Sequence, residues 1–203
     1  MQTVEFFFDV GSPNAYLAHR LIPALAARTG AKFVYRPCLL GGIFKATGNQ
    51  SPVMAYAHIP NKLAYEHLEM QRFIEQHRLT EFRMNPVFPV NTLMAMRGAV
   101  AAQSLDLLAP YTAALFHYMW EEPRQLDDPA IFQQTLRDAG LAAEAIIAAS
   151  AQPEVKQALI DDTAAVVARG AFGLPTFFIG EQMWFGKDRL RDVEEHLLAT
   201  AAR

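Results

Sequence analysis

The hydrophobic pattern changes period several times along the chain. Val4 to Phe8 is a short aromatic and β-branched run, interrupted only by Glu5 and bounded by Asp9 and Gly11, and predicts a buried strand. From Pro13 the period lengthens: Leu17, Leu21 and Leu25 recur every fourth residue and define one face of a helix. Pro23 inside that helix predicts a kink, and Thr29-Gly30 predicts a glycine C-cap. Lys32 to Pro37 then alternates as a second strand. Residues 39–150 carry almost no strand signal and are rich in Ala, Leu, Met and Glu. Lys62 to Gln76 and Asn91 to Leu105 have helical spacing. Loop signals fall at Gly48-Asn49-Gln50-Ser51-Pro52, Asn85-Pro86-Val87-Phe88-Pro89 and Glu122-Pro123. Strand character returns in Ala171 to Gly180 and Gln182 to Gly186, with Gly180-Glu181 suited to a hairpin turn. A last amphipathic helix runs from Lys187 to Ala202, with Leu190, Val193 and Leu197 on one face.

This order, βαβ, then helices, then ββα, predicts an α/β core with a large all-helical insertion. The core is residues 1–38 and 151–203, and the inserted lobe is residues 39–150. The chain has 203 residues, 52% of them hydrophobic, enough for a sizeable core. Its net charge is −3, with no Lys/Arg stripe, so nucleic acid is not an expected partner. The single cysteine, Cys38, excludes an intramolecular disulfide scaffold. No apolar run approaches the roughly 18 residues of a membrane span, and no signal-peptide pattern precedes the first strand. A cytoplasmic protein without a membrane partner is expected.

The chemistry concentrates where the first strand meets the first helix, at Phe8-Asp9-Val10-Gly11-Ser12-Pro13-Asn14-Ala15-Tyr16. Ser12 followed by Pro13 is a preferred helix start, in which the hydroxyl accepts a backbone N–H bond. The same helix end presents free N–H groups and a positive dipole end that stabilise an anion. In thioredoxin-like redox proteins this layout carries Cys-x-x-Cys, whereas here the four positions read Ser-Pro-Asn-Ala. Ser12 is not a nucleophile on this reading, because no His–acid pair accompanies it. Cys38 ends a strand pattern and reads as a buried apolar thiol. The six histidines lack metal-ligand spacing, so no metal is predicted. Gly180 to Asp188 is not a phosphate loop: five residues separate the glycines, and Asp188 follows Lys187 where Ser or Thr belongs. Phe7, Phe8, Phe88, Met94, Trp184 and Phe185 are either core or walls of an aromatic substrate pocket. Asn91 and Thr92 either cap a helix or touch substrate.

Five segments carry a family resemblance: Phe8-Asp9-Val10-Gly11-Ser12-Pro13 with Tyr16-Leu17; Leu40-Gly41-Gly42-Ile43-Phe44-Lys45 with Gly48-Asn49; Pro60-Asn61-Lys62; Gly173-Leu174-Pro175-Thr176; and Trp184-Phe185-Gly186-Lys187-Asp188-Arg189-Leu190. In this order the chain resembles the DsbA-like branch of the thioredoxin superfamily. Within that branch it resembles the 2-hydroxychromene-2-carboxylate isomerases and kappa-class glutathione transferases. The resemblance implies a thioredoxin-like core and reduced glutathione as cofactor, its thiolate held by the Ser12 hydroxyl. It implies a cis Pro175, with the Leu174 backbone pairing with the cysteinyl unit, and Asn49 and Lys62 at the glycyl carboxylate. Asp188 would receive the γ-glutamyl amine; Lys187, where the family has a small polar residue, reaches the adjoining carboxylate or points to solvent. The implied activity is glutathione-dependent isomerisation of 2-hydroxychromene-2-carboxylate or a related small aromatic carboxylate, by a homodimer. The alternatives are a kappa-like transferase or peroxidase, and a non-catalytic glutathione-binding protein.

Overall fold

A computed structural model describes residues 1–201. Strand β1 (Thr3–Phe8) leads into helix α1 (Pro13–Thr29) and strand β2 (Lys32–Pro37). Eight helices fill the next segment and its approach back to the sheet: α2 (Leu40–Thr47), α3 (Pro52–Ala55), α4 (Pro60–Gln76), α5 (Leu93–Ser104), α6 (Leu108–Trp120), α7 (Pro129–Asp138), α8 (Ala143–Ser150) and α9 (Pro153–Ala168). Strands β3 (Thr176–Ile179) and β4 (Gln182–Phe185), a 3₁₀ turn (Lys187–Arg189) and α10 (Leu190–Ala201) complete the fold.

The four strands form one sheet in the order β2-β1-β3-β4. β1 and β2 are parallel, with Phe6 opposite Tyr35. β1 and β3 are antiparallel, as are β3 and β4, where Ile179 opposes Gln182 across the predicted Gly180-Glu181 turn. From Val4 onward β1 is apolar on both faces apart from Glu5, which pairs with Arg36 and Arg169, because both faces of the sheet are covered. Phe6, Phe8 and Phe177 face the larger cluster, together with Tyr16 and Leu197. Phe7, Phe178 and Cys38 face a smaller one with Ile43 and Val166. The larger cluster continues through Trp120 to Phe132 and Ile146, so sheet and insertion share one core. The Trp120 indole N–H donates to the Val10 carbonyl at 2.7 Å and fixes the β1–α1 turn against the insertion.

α1 runs through Pro23 and ends at Gly30 with φ +67°, the glycine cap the sequence predicts. The observed elements differ from expectation in three places. β3 starts only at Thr176, because residues 171–175 form a loop around Pro175. The segment after residue 150 opens with α9, a helix absent from the predicted ββα order. It buries Leu159, Thr163 and Val166 and packs on α2, α5 and β2. The last helix begins with a 3₁₀ turn, and Ala202, its predicted end, lies outside the described residues. Among the described residues, no helix is long and apolar enough to cross a membrane.

Candidate active site

The β1–α1 turn is built around a buried carboxylate. Asp9 is fully buried; its Oδ1 accepts from the Gly11 amide at 2.9 Å. Its Oδ2 accepts from the Leu40 amide at 2.8 Å and the Thr92 hydroxyl at 2.9 Å. Burial raises the Asp9 carboxyl above the usual aspartate range, and the three hydrogen bonds oppose that rise without cancelling it. One side chain thus joins the end of β1 to the starts of α2 and α5. Gly11 is required here: a Cβ would stand 2.6 Å from Thr92 Cγ2.

Ser12 is 3% exposed and is the N-cap of α1. Its Oγ accepts from the Ala15 amide at 3.2 Å and donates to the Leu174 carbonyl at 3.2 Å. The capping role is therefore present, and the hydroxyl also reaches the loop before β3. Pro13 has no N–H, and the first turn of α1 holds no acidic residue to neutralise the dipole. Among the described residues, the Asn14 amide donates to no protein group. Leu174-Pro175 is a cis peptide bond. The Pro175 carbonyl accepts from the Gly186 amide at 2.9 Å, while the Leu174 amide donates to no group among the described residues. Ser12, Asn14 and Leu174, the residues that carry the hydroxyl and these two open N–H groups, thus line one place.

This place is the floor of a cavity of about 830 Å³, within the roughly 300–1,000 Å³ of small-molecule sites. Ser12, Asn49, Leu174, Lys187, Asp188 and Phe88 all line it. Asn49 Nδ2 donates to the Phe172 carbonyl at 2.8 Å and ties the loop after α2 to the cis-proline loop. Lys187 does not point to solvent: it is 6% exposed, its Nζ is 2.6 Å from Asp188 Oδ1 and 4.4 Å above the Phe73 ring. Lys62 lies outside the lining. Its Nζ sits 3.2 Å over the ring of Tyr56, which does line the cavity.

Asn91 and Trp184, both offered for substrate contact, lie elsewhere. The Asn91 side chain accepts from the Leu93 amide at 3.0 Å on the surface, a local turn just ahead of α5, whose N-cap is Thr92. Trp184 packs 5.1 Å from His196 of α10, on the larger-cluster side of the sheet. The parity of β4 brings Phe185, the other candidate on that strand, to the cavity, against Phe172 and Gly173. Sequence reasoning missed the outer wall: Tyr56, Leu63, Glu66, Met70 and Met84. The spacing of Leu63, Glu66 and Met70 on α4 was the available signal, a glutamate on the inward face of an amphipathic helix.

The fold and this cavity define a member of a known class. Residues 3–198 match the family described as DSBA-like thioredoxin domain, and the chain belongs to it. It is 27% identical over 202 residues to the 2-hydroxychromene-2-carboxylate isomerase of Sphingobium xenophagum, covering 97% of this chain and 98% of that one. It is 29% identical over 211 residues to human glutathione S-transferase kappa 1, covering 97% and 91% respectively. A solved 2-hydroxychromene-2-carboxylate isomerase superposes with a TM-score of 0.81 at 26% identity, covering 98% of this chain and 96% of that one.

Proposed function

We propose that the chain is a glutathione-dependent isomerase of 2-hydroxychromene-2-carboxylate or a related small aromatic carboxylate, working in the cytoplasm as a homodimer. The observation that carries this reading is the Ser12 hydroxyl at the N-terminus of α1, 3.2 Å from the Leu174 carbonyl, on the floor of a ligand-sized cavity. Residues 12–15 contain no sulfur, so this is an anion site without a thiol of its own.

The residues present fit reduced glutathione. Ser12 exchanges its bond to the Leu174 carbonyl for one to a thiolate, while its oxygen keeps the Ala15 amide. The open Asn14 amide and the α1 dipole stabilise the same negative charge. The Leu174 amide suits an extended peptide added beside β3, with Pro175 fixing the loop. Lys187 is a desolvated cation for a carboxylate, and Asp188 an exposed anion for an amine. Asn49 holds the opposite rim, and Lys62 reaches a carboxylate there after leaving the Tyr56 ring. When bound, glutathione supplies a thiolate that adds to the unsaturated ring-opened substrate and leaves after bond rotation. Phe88 and Phe185 give an aromatic substrate apolar walls.

The second reading, a kappa-like transferase, is supported by the 29% identity to the human kappa enzyme across nearly the full chain. One assay separates the two. Incubated with 2-hydroxychromene-2-carboxylate and trace glutathione, an isomerase yields the trans-benzylidenepyruvate with no loss of thiol. Stoichiometric thiol loss with an electrophilic aromatic supports transfer, and no turnover of either substrate overturns both readings.

A further inference from the structure

A second cavity, of about 220 Å³, lies on the other side of α2, between α5 and α9. α2 is the wall common to both: Leu40, Phe44 and Thr47 face the larger cavity, and Leu39, Gly42 and Ala46 face this one. Small side chains at Gly42, Ala46 and Ala164 leave the hollow, and Gly42 cannot be enlarged freely because a Cβ would press Thr163 Cγ2 at 3.1 Å. Leu39, Leu93 and Leu159 make its floor apolar.

Over that floor stand two cations, Arg97 one turn along α5 from Leu93, and Lys156 one turn along α9 before Leu159 and Ile160. Both are half-buried. Among the described residues, neither has an ion-pair partner within 4.0 Å, and no carboxylate lines the cavity. Most other arginines of the chain are paired, including Arg20, Arg28, Arg36, Arg124, Arg137 and Arg169. Partly desolvated cations without a counter-ion favour an anion, and an arginine favours a planar carboxylate. The volume falls below the roughly 300 Å³ of a drug-sized site, which limits the occupant to a short chain or a single ring.

We propose that this groove is a ligand site separate from the Ser12 cavity, binding a small amphipathic monocarboxylate. The carboxylate sits between Arg97 and Lys156, and the hydrocarbon covers Leu39, Leu93 and Leu159.

The test is calorimetric titration of the full chain at low salt with octanoate, octan-1-ol and inorganic phosphate. Octanoate binds one equivalent at least tenfold tighter than either control. Arg97→Gln and Lys156→Gln each weaken it about tenfold, Ala164→Leu blocks it while keeping both charges, and Ser12→Ala leaves it unchanged. The proposal is overturned if octanol or phosphate matches octanoate. It is equally overturned if octanoate affinity follows Ser12→Ala or Phe88→Ala rather than the Arg97 and Lys156 variants. The comparison of the three probes on the unaltered chain stands whether or not any variant folds, and none of these readouts requires glutathione to bind.

Discussion

Ser12→Ala separates the structural and functional roles of one hydroxyl, because each leaves its own signature. The substitution removes the acceptor for the Ala15 amide, a loss of about 1 kcal/mol for an N-cap. It also removes the donor to the buried Leu174 carbonyl, about 1 kcal/mol more if water from the cavity replaces it in part. The sum, about 2 kcal/mol, corresponds to a Tm fall of about 4–8 °C for a chain of this size. Calorimetry without ligand measures that fall, and an unchanged Tm refutes the hydrogen-bond assignments. Saturating glutathione then reports the second role. At a hundred times its Kd, a ligand that binds only the folded state adds about 2.7 kcal/mol. The unaltered chain gains about 5–11 °C under those conditions. Ser12→Ala loses most of that gain, together with the thiolate absorbance of bound glutathione at pH 7. A variant that melts lower yet keeps the full gain and the thiolate signal shows that Ser12 is a cap alone.

Other perturbations have definite signs. Gly11→Ala drives a methyl into Thr92 and separates Thr92 from Asp9; a loss of about 2 kcal/mol or more in urea unfolding is expected, and a neutral result refutes the close approach. Gly98→Ala, which stabilises an ordinary helix by about 1 kcal/mol, here destabilises by about 1–3 kcal/mol, because the new methyl meets the buried Tyr111 ring with Cζ at 2.9 Å; a rise in Tm contradicts this. His19, packed on Phe116 and bonded to Tyr35, has its pKa pushed down to about 4, first by burial and then by Arg20. The unfolded chain binds that proton near pH 6.5, so the contribution of His19 to stability is complete above pH 6.5 and is lost as pH falls toward 4. Proton NMR checks it: the His19 ring stays neutral at pH 5.5, and an ordinary midpoint near 6.5 refutes the burial argument.

The ends of the chain were legible because their signals are local. An apolar run closed by Asp9-Gly11, a Ser-Pro start, a Gly30 cap and a two-residue turn at Gly180-Glu181 each act within a few residues. α9 was not legible: its inward positions are Leu159, Thr163 and Val166, and the alanines between them blur the contrast between faces. Trp184 lies off the cavity for reasons of parity. With helices or loops on both faces of a sheet, apolar residues stand on both sides of a strand, and nothing in Met183-Trp184-Phe185 says which faces the cavity. Ser12 could be named because it begins a helix, whereas Leu174 and Lys187 were implied only by the family resemblance. The Asp9 network could not be named, because it joins residues 31 and 83 positions apart that only the fold brings together.

The placement of sulfur argues for the same chemistry from another direction. A helix N-terminus is an environment that can lower a thiol pKa, from about 8.5 to as low as about 3.5. This chain keeps that environment, with an open Asn14 amide and no acid in the first turn of α1, yet places no cysteine in it. Its one cysteine, Cys38, is buried in the smaller cluster with its thiol held against the Asp162 carbonyl at 3.8 Å. Burial, with Asp162 and Asp9 nearby, pushes that thiol well above its ordinary range. Cys38 is therefore protonated and out of reach at neutral pH, and cannot compete for a disulfide or an electrophile in the cavity. Any thiolate that uses the α1 terminus must arrive with a ligand, and a ligand that leaves unchanged needs no second cysteine to regenerate the site. Ser12→Cys tests the point directly: the new thiol titrates below pH 7.5, and a midpoint near 8.5 means that the environment does not stabilise a thiolate.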